Sequence, residues 1–366
     1  MEYFLRSWKR KRKILVVIVI FCCLLILKNC VELHGPIRRI RLLRPDFSYA
    51  QIPEKAHCDE NSLSDYPKYV LHPMITVVYG AGLGNQLFEV FSLLGIAKTL
   101  NRTAIFNLDD YKIQSGLKFL REKLPHVATQ VISIRINISE SVRFSMVPDA
   151  CCHYHIPRLM LCEQAQFLFI SAHYFQSFKY FSSIETSIRE WLKPPKNEEG
   201  KLRELVAEEE QLRFKTCVHM RRGDFLTDGH HSGSNSTFTI VAINHLYNLN
   251  PGLMYMFSND NDWVQKNVLD HLKFQENIRL MNTSAEDAVM DLYFSQIHCD
   301  SVLITAPSST FGWWMGYLSK NMSNVYYRDI REVDDNTKFE IVKEDIYPAE
   351  WKEMKMSEEG RVYISQ

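Results

Sequence analysis

The residues best suited to chemistry are His219-Met220-Arg221-Arg222-Gly223-Asp224, at the end of Lys215–Met220, which reads as a buried strand. Ligands of parallel α/β sheets sit at the carboxyl ends of strands. Two adjacent guanidinium groups there are costly unless they meet an anion or a carboxylate. A diphosphate is a natural partner, because guanidinium grips phosphate in a bidentate way and keeps its charge. A structural arginine–aspartate network through Asp224 is the plain alternative. Ser308-Ser309-Thr310-Phe311-Gly312-Trp313-Trp314 follows a second strand-like run, Val302–Thr305. Hydroxyls and free N–H groups at a helix start again suit phosphate, and an ordinary N-cap before core tryptophans is the alternative.

Gly80-Ala81-Gly82-Leu83-Gly84 with Asn85-Gln86 forms a glycine loop ahead of a helix, where backbone can approach an anionic ligand closely. Asp109, at the end of the next strand, stands where a ribose-binding acid would. The glycine spacing is nevertheless wrong for a dinucleotide, with Asn85 in place of the third glycine. Ser258-Asn259-Asp260-Asn261-Asp262 contains an Asp-x-Asp pair able to hold a divalent cation beside a diphosphate, but capping of the next helix is the commoner meaning. Glu286-Asp287 precedes another helix, where acids are favourable, and such an acid can accept from a guanine edge.

The elements that position these residues alternate. Ile75–Tyr79 reads as a buried strand, Asn85–Leu100 as a helix and Ala104–Asn107 as a strand. Pro194-Pro195 breaks the middle, and a charged helix spans Glu198–Leu212. Strands are then expected at Lys215–Met220, Leu253–Phe257, Ile278–Leu280 and Val302–Thr305, with helices over 239–249, 262–273 and 285–297. The pattern is α/β, with parallel sheets in two lobes.

The chain has 366 residues, 46% hydrophobic and 23% charged, which excludes a disordered chain and a polytopic membrane protein. Lys+Arg and Asp+Glu are 43 each, so no global basic field draws nucleic acid. The basic run Lys9–Lys13 precedes the apolar run Ile14–Leu27, which reads as an uncleaved signal-anchor with the N-terminus cytosolic; a cleaved signal peptide is the alternative. Five N-x-S/T sequons, at Asn101, Asn137, Asn235, Asn282 and Asn321, agree with a luminal body. Six body cysteines (Cys58, Cys151, Cys152, Cys162, Cys217 and Cys299) permit up to three disulfides, with buried thiols at Cys217 and Cys299 as the alternative.

Taken in order, Gly82-Leu83-Gly84-Asn85-Gln86-Leu87-Phe88, His219-Met220-Arg221-Arg222-Gly223-Asp224-Phe225, Phe257-Ser258-Asn259-Asp260, Glu286-Asp287 and Ser309-Thr310-Phe311-Gly312-Trp313-Trp314 resemble the α1,2-fucosyltransferase family, glycosyltransferase family eleven. The resemblance implies a GT-B-like fold of two Rossmann-like lobes after an N-terminal transmembrane anchor and stem. It implies inverting transfer of fucose from GDP-fucose to a glycan hydroxyl, usually on galactose, with no metal or other cofactor. The implied division is a cytosolic tail over 1–13, anchor over 14–33, stem over 34–70, acceptor-side lobe over 71–200, GDP-sugar lobe over 201–345 and C-terminal tail over 346–366. The partners are GDP-fucose, a glycan acceptor and the membrane, and the place is the Golgi membrane in type II orientation.

Carried over, Arg221 and Arg222 would neutralise the diphosphate, with Arg222 and Asp224 as the catalytic pair. His219 would lie by the nucleoside, and Asp287 would be the guanine contact. Ser308, Ser309, Thr310 and Phe311 would meet phosphate, and Gly82, Gly84 and Asn85 would face fucose and acceptor. Ser308 stands where the family usually has Asn, and Gly312 where Ser is common. A lectin-like protein of the same fold, a metal-dependent transferase using Asp260 and Asp262, and a dinucleotide enzyme are the rival readings.

Overall fold

The computed structural model describes residues 66–108, 111–137, 139, 141–147, 151–172, 174–282 and 288–365. The expected tail, anchor and most of the stem, with Asp109, Glu286 and Asp287, lie outside the described residues.

The first lobe runs β1 (Tyr69–Leu71), α1 (Ile75–Tyr79), α2 (Leu83–Thr99), β2 (Thr103–Asn107), α3 (Tyr111–Lys123), α4 (Pro125–Ala128), β3 (Ile132–Ile134), β4 (Val142–Val147) and β5 (Phe167–Ala172). Its sheet has the order β3-β2-β1-β5-β4, with every pairing parallel. The expected strand at Ile75–Tyr79 is a helix instead, and the strand lies earlier, at Tyr69–Leu71. A short apolar run does not distinguish the two by periodicity. The deciding contact is remote in sequence. The buried Glu89 carboxylate, on α2, accepts the Thr76 N–H at 2.9 Å and the Thr76 hydroxyl, so it caps the first turn of α1. Its other oxygen meets His72 Nε2 at 2.8 Å.

Two helices, α5 (Glu185–Trp191) and α6 (Lys196–Glu204), flank Pro194-Pro195. The helix expected to reach residue 212 stops at Glu204 and gives way to a single 3₁₀ turn, Glu208–Glu210.

The second lobe runs β6 (Lys215–Met220), α7 (Ser236–Leu249), β7 (Leu253–Ser258), α8 (Asn261–Asn267), β8 (Ile278–Leu280), α9 (Ala288–His298), β9 (Ser301–Ile304), α10 (Thr310–Leu318), β10 (Val325–Arg328), α11 (Lys343–Ile346), β11 (Lys352–Met356) and β12 (Val362–Ile364). The sheet order is β12-β11-β10-β9-β6-β7-β8, parallel except for β11 with β12. The expected 346–366 tail is therefore part of the sheet. Only Met354 of β11 is buried, and its charged neighbours hide the strand in the sequence. Cys217 and Cys299 form a disulfide that ties β6 to the start of β9, while Cys151 and Cys152 bond to each other and Cys162 is also disulfide-bonded.

Both sheets lie in one compact unit of the chain, Tyr49–Gln366. The core crosses from lobe to lobe through rings. Phe88, Phe91 and Phe181 of the first half pack on Trp313, Trp314 and Tyr317 of α10. Arg189 of α5 donates to the carbonyls of Tyr317, Leu318 and Ser319, which satisfies the C-terminal end of α10.

Candidate functional site

Side chains alternate between the two faces of a strand, and this separates the residues at the end of β6. Cys217 belongs to the core that α10 covers, whereas Val218 and Met220 belong to the core under α7. His219 accordingly shares the face of Cys217, and Arg221 and Arg222 follow the strand end.

His219 is 4% exposed, lies 5.7 Å from the Phe311 ring, and its Nδ1 has no hydrogen-bond partner among the described residues. A Cβ at Gly312 would come within 2.6 Å of that nitrogen, so glycine at the start of α10 lets the imidazole approach the helix. Burial, followed by the nearby Arg221 cation, pushes the His219 pKa down to about 3, so the ring is neutral at physiological pH.

Arg221 pairs with Asp224 at 2.8 Å and lies 5.4 Å from the Phe225 ring centroid. The loop after it is pinned back on itself. The Arg221 N–H donates to Ser234 Oγ at 2.9 Å, and the Ser234 N–H donates to the Arg221 carbonyl at 2.7 Å. Ser234 Oγ also meets Thr305 Oγ1 at 2.7 Å, and Thr305 donates to the His219 carbonyl at 2.9 Å. Two buried hydroxyls thus lock the ends of β6 and β9 together.

Arg222 makes a different set of contacts. It donates to the Ser234 carbonyl at 2.9 Å, stands 3.5 Å from Asp260 and stacks 4.0 Å from the Trp263 centroid. The two arginines expected to grip one diphosphate therefore make separate side-chain contacts, Arg221 with Asp224 and Phe225 and Arg222 with Asp260 and Trp263.

At the start of α10 the hydroxyls are used within the protein. Ser308 donates to the buried Asp335 at 2.6 Å, and Ser309 Oγ accepts the Gly312 N–H. Thr310 donates to Asn85 Oδ1 at 2.7 Å. What α10 can offer a ligand is its first backbone N–H groups, which no helical carbonyl can reach. The N-terminus of α2 comes to the same place. A Cβ at Gly84 would lie 2.6 Å from the Phe311 nitrogen, and Trp314 Nε1 donates to the Gly84 carbonyl at 3.0 Å. Asn85 Oδ1 also accepts from Gln176 Nε2 at 2.9 Å. Two helix starts, each carrying partial positive charge, thus converge beside Phe311 and His219, with the Arg221 cation near enough to act on the imidazole. Gly82 is the exposed N-cap position of α2.

Asp260 caps α8 by accepting the Trp263 N–H at 3.1 Å. Among the described residues no group of three or more His, Cys, Asp and Glu is placed to hold a metal ion. All five sequon asparagines are exposed. Among the described residues no helix is long and apolar enough to cross a membrane.

Sequence reasoning missed Gln176, Ser234, Thr305 and Asp335, which arrive from loops and strand ends without a motif. It also missed that Arg221 and Arg222 take separate partners.

Two α/β lobes, parallel-stranded except for β11 with β12, bring two helix starts together beside His219 and Phe311 and define a two-lobed α/β protein. Residues 55–355 match glycosyl transferase family 11, and the chain belongs to that family. A galactoside 2-alpha-L-fucosyltransferase of Caenorhabditis elegans is 53% identical over 317 residues, which span 87% of this chain and 89% of that protein. A second galactoside 2-alpha-L-fucosyltransferase of the same organism is 34% identical, over 83% of this chain and 82% of that one. Among solved structures, NodZ alpha-1,6-fucosyltransferase soaked with GDP-fucose is 12% identical, with a TM-score of 0.43, over 82% of this chain and 99% of that one.

Proposed function

We propose that this protein is an inverting galactoside α1,2-fucosyltransferase that takes L-fucose from GDP-fucose. The observation that carries the reading is the 53% identity, over 87% of the chain, to a galactoside 2-alpha-L-fucosyltransferase. The cleft supplies a physical basis for it. As the acceptor oxygen bonds to the fucose anomeric carbon, the carbon–oxygen bond to the diphosphate breaks and GDP departs with the electron pair. The charge that develops on GDP is met by Arg221, by the start of α10 and by the start of α2, so the reaction needs no bound metal. Asp224 holds the Arg221 guanidinium in place, a positioning role. His219, kept neutral, packs beside Phe311 at the nucleoside side, with Asp287 as the guanine contact. Asn85 and the Gly82–Gly84 turn face the sugar. The proton of the acceptor hydroxyl passes to a base on the loop after β6, where Asp224 is the nearest in sequence to the arginines and His231 is held through Nδ1 by Asp228 at 2.6 Å.

Residues 71–200 form the acceptor side and 201–366 the GDP-sugar side. The cationic run before Ile14–Leu27 supports a type II Golgi anchor, with 34–70 as stem. Exposed sequons and disulfides support a luminal, oxidising setting.

The test is transfer by the full chain. With GDP-fucose and a β-galactoside acceptor, a fucosylated product carrying an α1,2 linkage by NMR is expected, undiminished by EDTA. Release of GDP without product, or a requirement for added metal, contradicts the proposal.

A further inference from the structure

On the opposite face of the second sheet from His219 lies a cavity of about 400 Å³ that the transfer reaction does not use. The end of β10, the loop after Arg221 and the starts of α7 and α8 wall it, through Arg328, Arg222, Ser236 and Trp263.

Arg328 is the notable wall residue. It is 8% exposed, and its guanidinium lies 4.7 Å from the Phe238 ring centroid. Its one hydrogen bond among the described residues is a long contact, 3.4 Å, to the Glu332 carbonyl, and its Nε has no partner. Among the described residues no carboxylate oxygen comes within 4.0 Å of it; the ion pairs all lie elsewhere. A buried cation without a close ion pair is expensive, and burial depresses its pKa while the more distant Glu332 carboxylate opposes that shift in part. Arg222 faces the same space from the loop after β6, its charge partly offset by Asp260 at 3.5 Å. The N-terminus of the 14-residue helix α7 opens there too, with Asn235 as its cap. Glu332 and Asp334 also line the cavity. Both are exposed at its rim, and the Glu332 carboxylate accepts the Met356 N–H at 3.1 Å. The two cations are therefore the more buried charges of the wall, and the two anions, Glu332 and Asp334, the solvent-facing ones.

We propose that this cavity is a second anion site, separate from the donor cleft, that takes an oxyanion of the phosphate or sulfate class between Arg222 and Arg328. It stands independently of the fucosyl-transfer reading.

The full chain is titrated with sodium phosphate and, separately, sodium sulfate, each against sodium chloride at equal ionic strength, while Tm is followed with and without saturating GDP. A rise of roughly 2 °C or more that persists under GDP is expected for at least one oxyanion, and the stronger rise names the class. In Arg328→Gln that rise disappears while the GDP-induced shift remains. No rise over chloride, a rise abolished by GDP, or a rise retained in Arg328→Gln overturns the proposal. Should Arg328→Gln fail to fold, crystals of the unmutated chain soaked in selenate decide. An anomalous peak between the two guanidinium groups supports the site, and a cavity without one overturns it.

Discussion

At the scale of residues, the site is held by buried polar groups whose charge states folding fixes. Burial lowers the His219 pKa to about 3 and that of His298 to about 4, against 6.5 unfolded. His298 is buried under α6, with Nε2 against the Leu202 carbonyl at 3.0 Å. Between pH 6.5 and about 4 the unfolded chain therefore binds more protons than the folded one. Stability is full above pH 6.5 and falls as the pH drops through that window, by about 1.4 kcal/mol per pH unit for each histidine. Denaturant unfolding of His298→Gln at pH 6.5, 5.5 and 4.5 should show a shallower loss than the parent by about one such increment per unit. An identical slope refutes this assignment. The motif His219–Asp224 was legible in the sequence as an anion-suited strand end. The ladder of Ser234, Thr305 and the His219 carbonyl was not, because it joins positions 71 and 86 residues apart that share no pattern.

At the scale of elements, the decisive contact is the one between the starts of α2 and α10. Alanine is ordinarily preferred to glycine within a helix by about 1 kcal/mol. At Gly84 the sign reverses, since a Cβ would stand 2.6 Å from both the Phe311 nitrogen and the Thr310 carbonyl carbon, which are backbone atoms with little room to move. Gly84→Ala should destabilise the chain by about 1–3 kcal/mol, as overpacking does, and lower turnover with it. Chemical denaturation and transfer rates of the purified variant check both. A neutral or stabilised Gly84→Ala would mean that the two helices are not in this contact. Most elements of the second lobe were readable because β6 and β7 are buried along their whole length and β7 is a nearly unbroken apolar run. The misreading of Ile75–Tyr79 has a physical cause, since a five-residue apolar segment takes its conformation from the Glu89 carboxylate that caps it. The strand β11 escaped notice because charged residues flank its single buried methionine.

At the scale of the whole molecule, two lobes share one aromatic core, and their helix starts open on the same small region. The order of glycine loop, arginine motif and Ser-Thr-Phe motif identified the family from the sequence, whereas the pairing of α2 with α10 needed the folded chain. Side-chain contacts add a distinction the motif lacks, with Arg221 beside Asp224 and Phe225 and Arg222 in the wall of the cavity beyond the sheet. The central claim is that Arg221 and the converging helix starts bind the GDP portion of the donor without metal. Calorimetric titration of GDP into the full chain and into Arg221→Ala, each with and without EDTA, tests it most directly. The account predicts binding that EDTA does not alter and that weakens at least about tenfold in Arg221→Ala, consistent with losing one charge-assisted contact. Equal affinity in the two proteins, or binding abolished by EDTA, would contradict it.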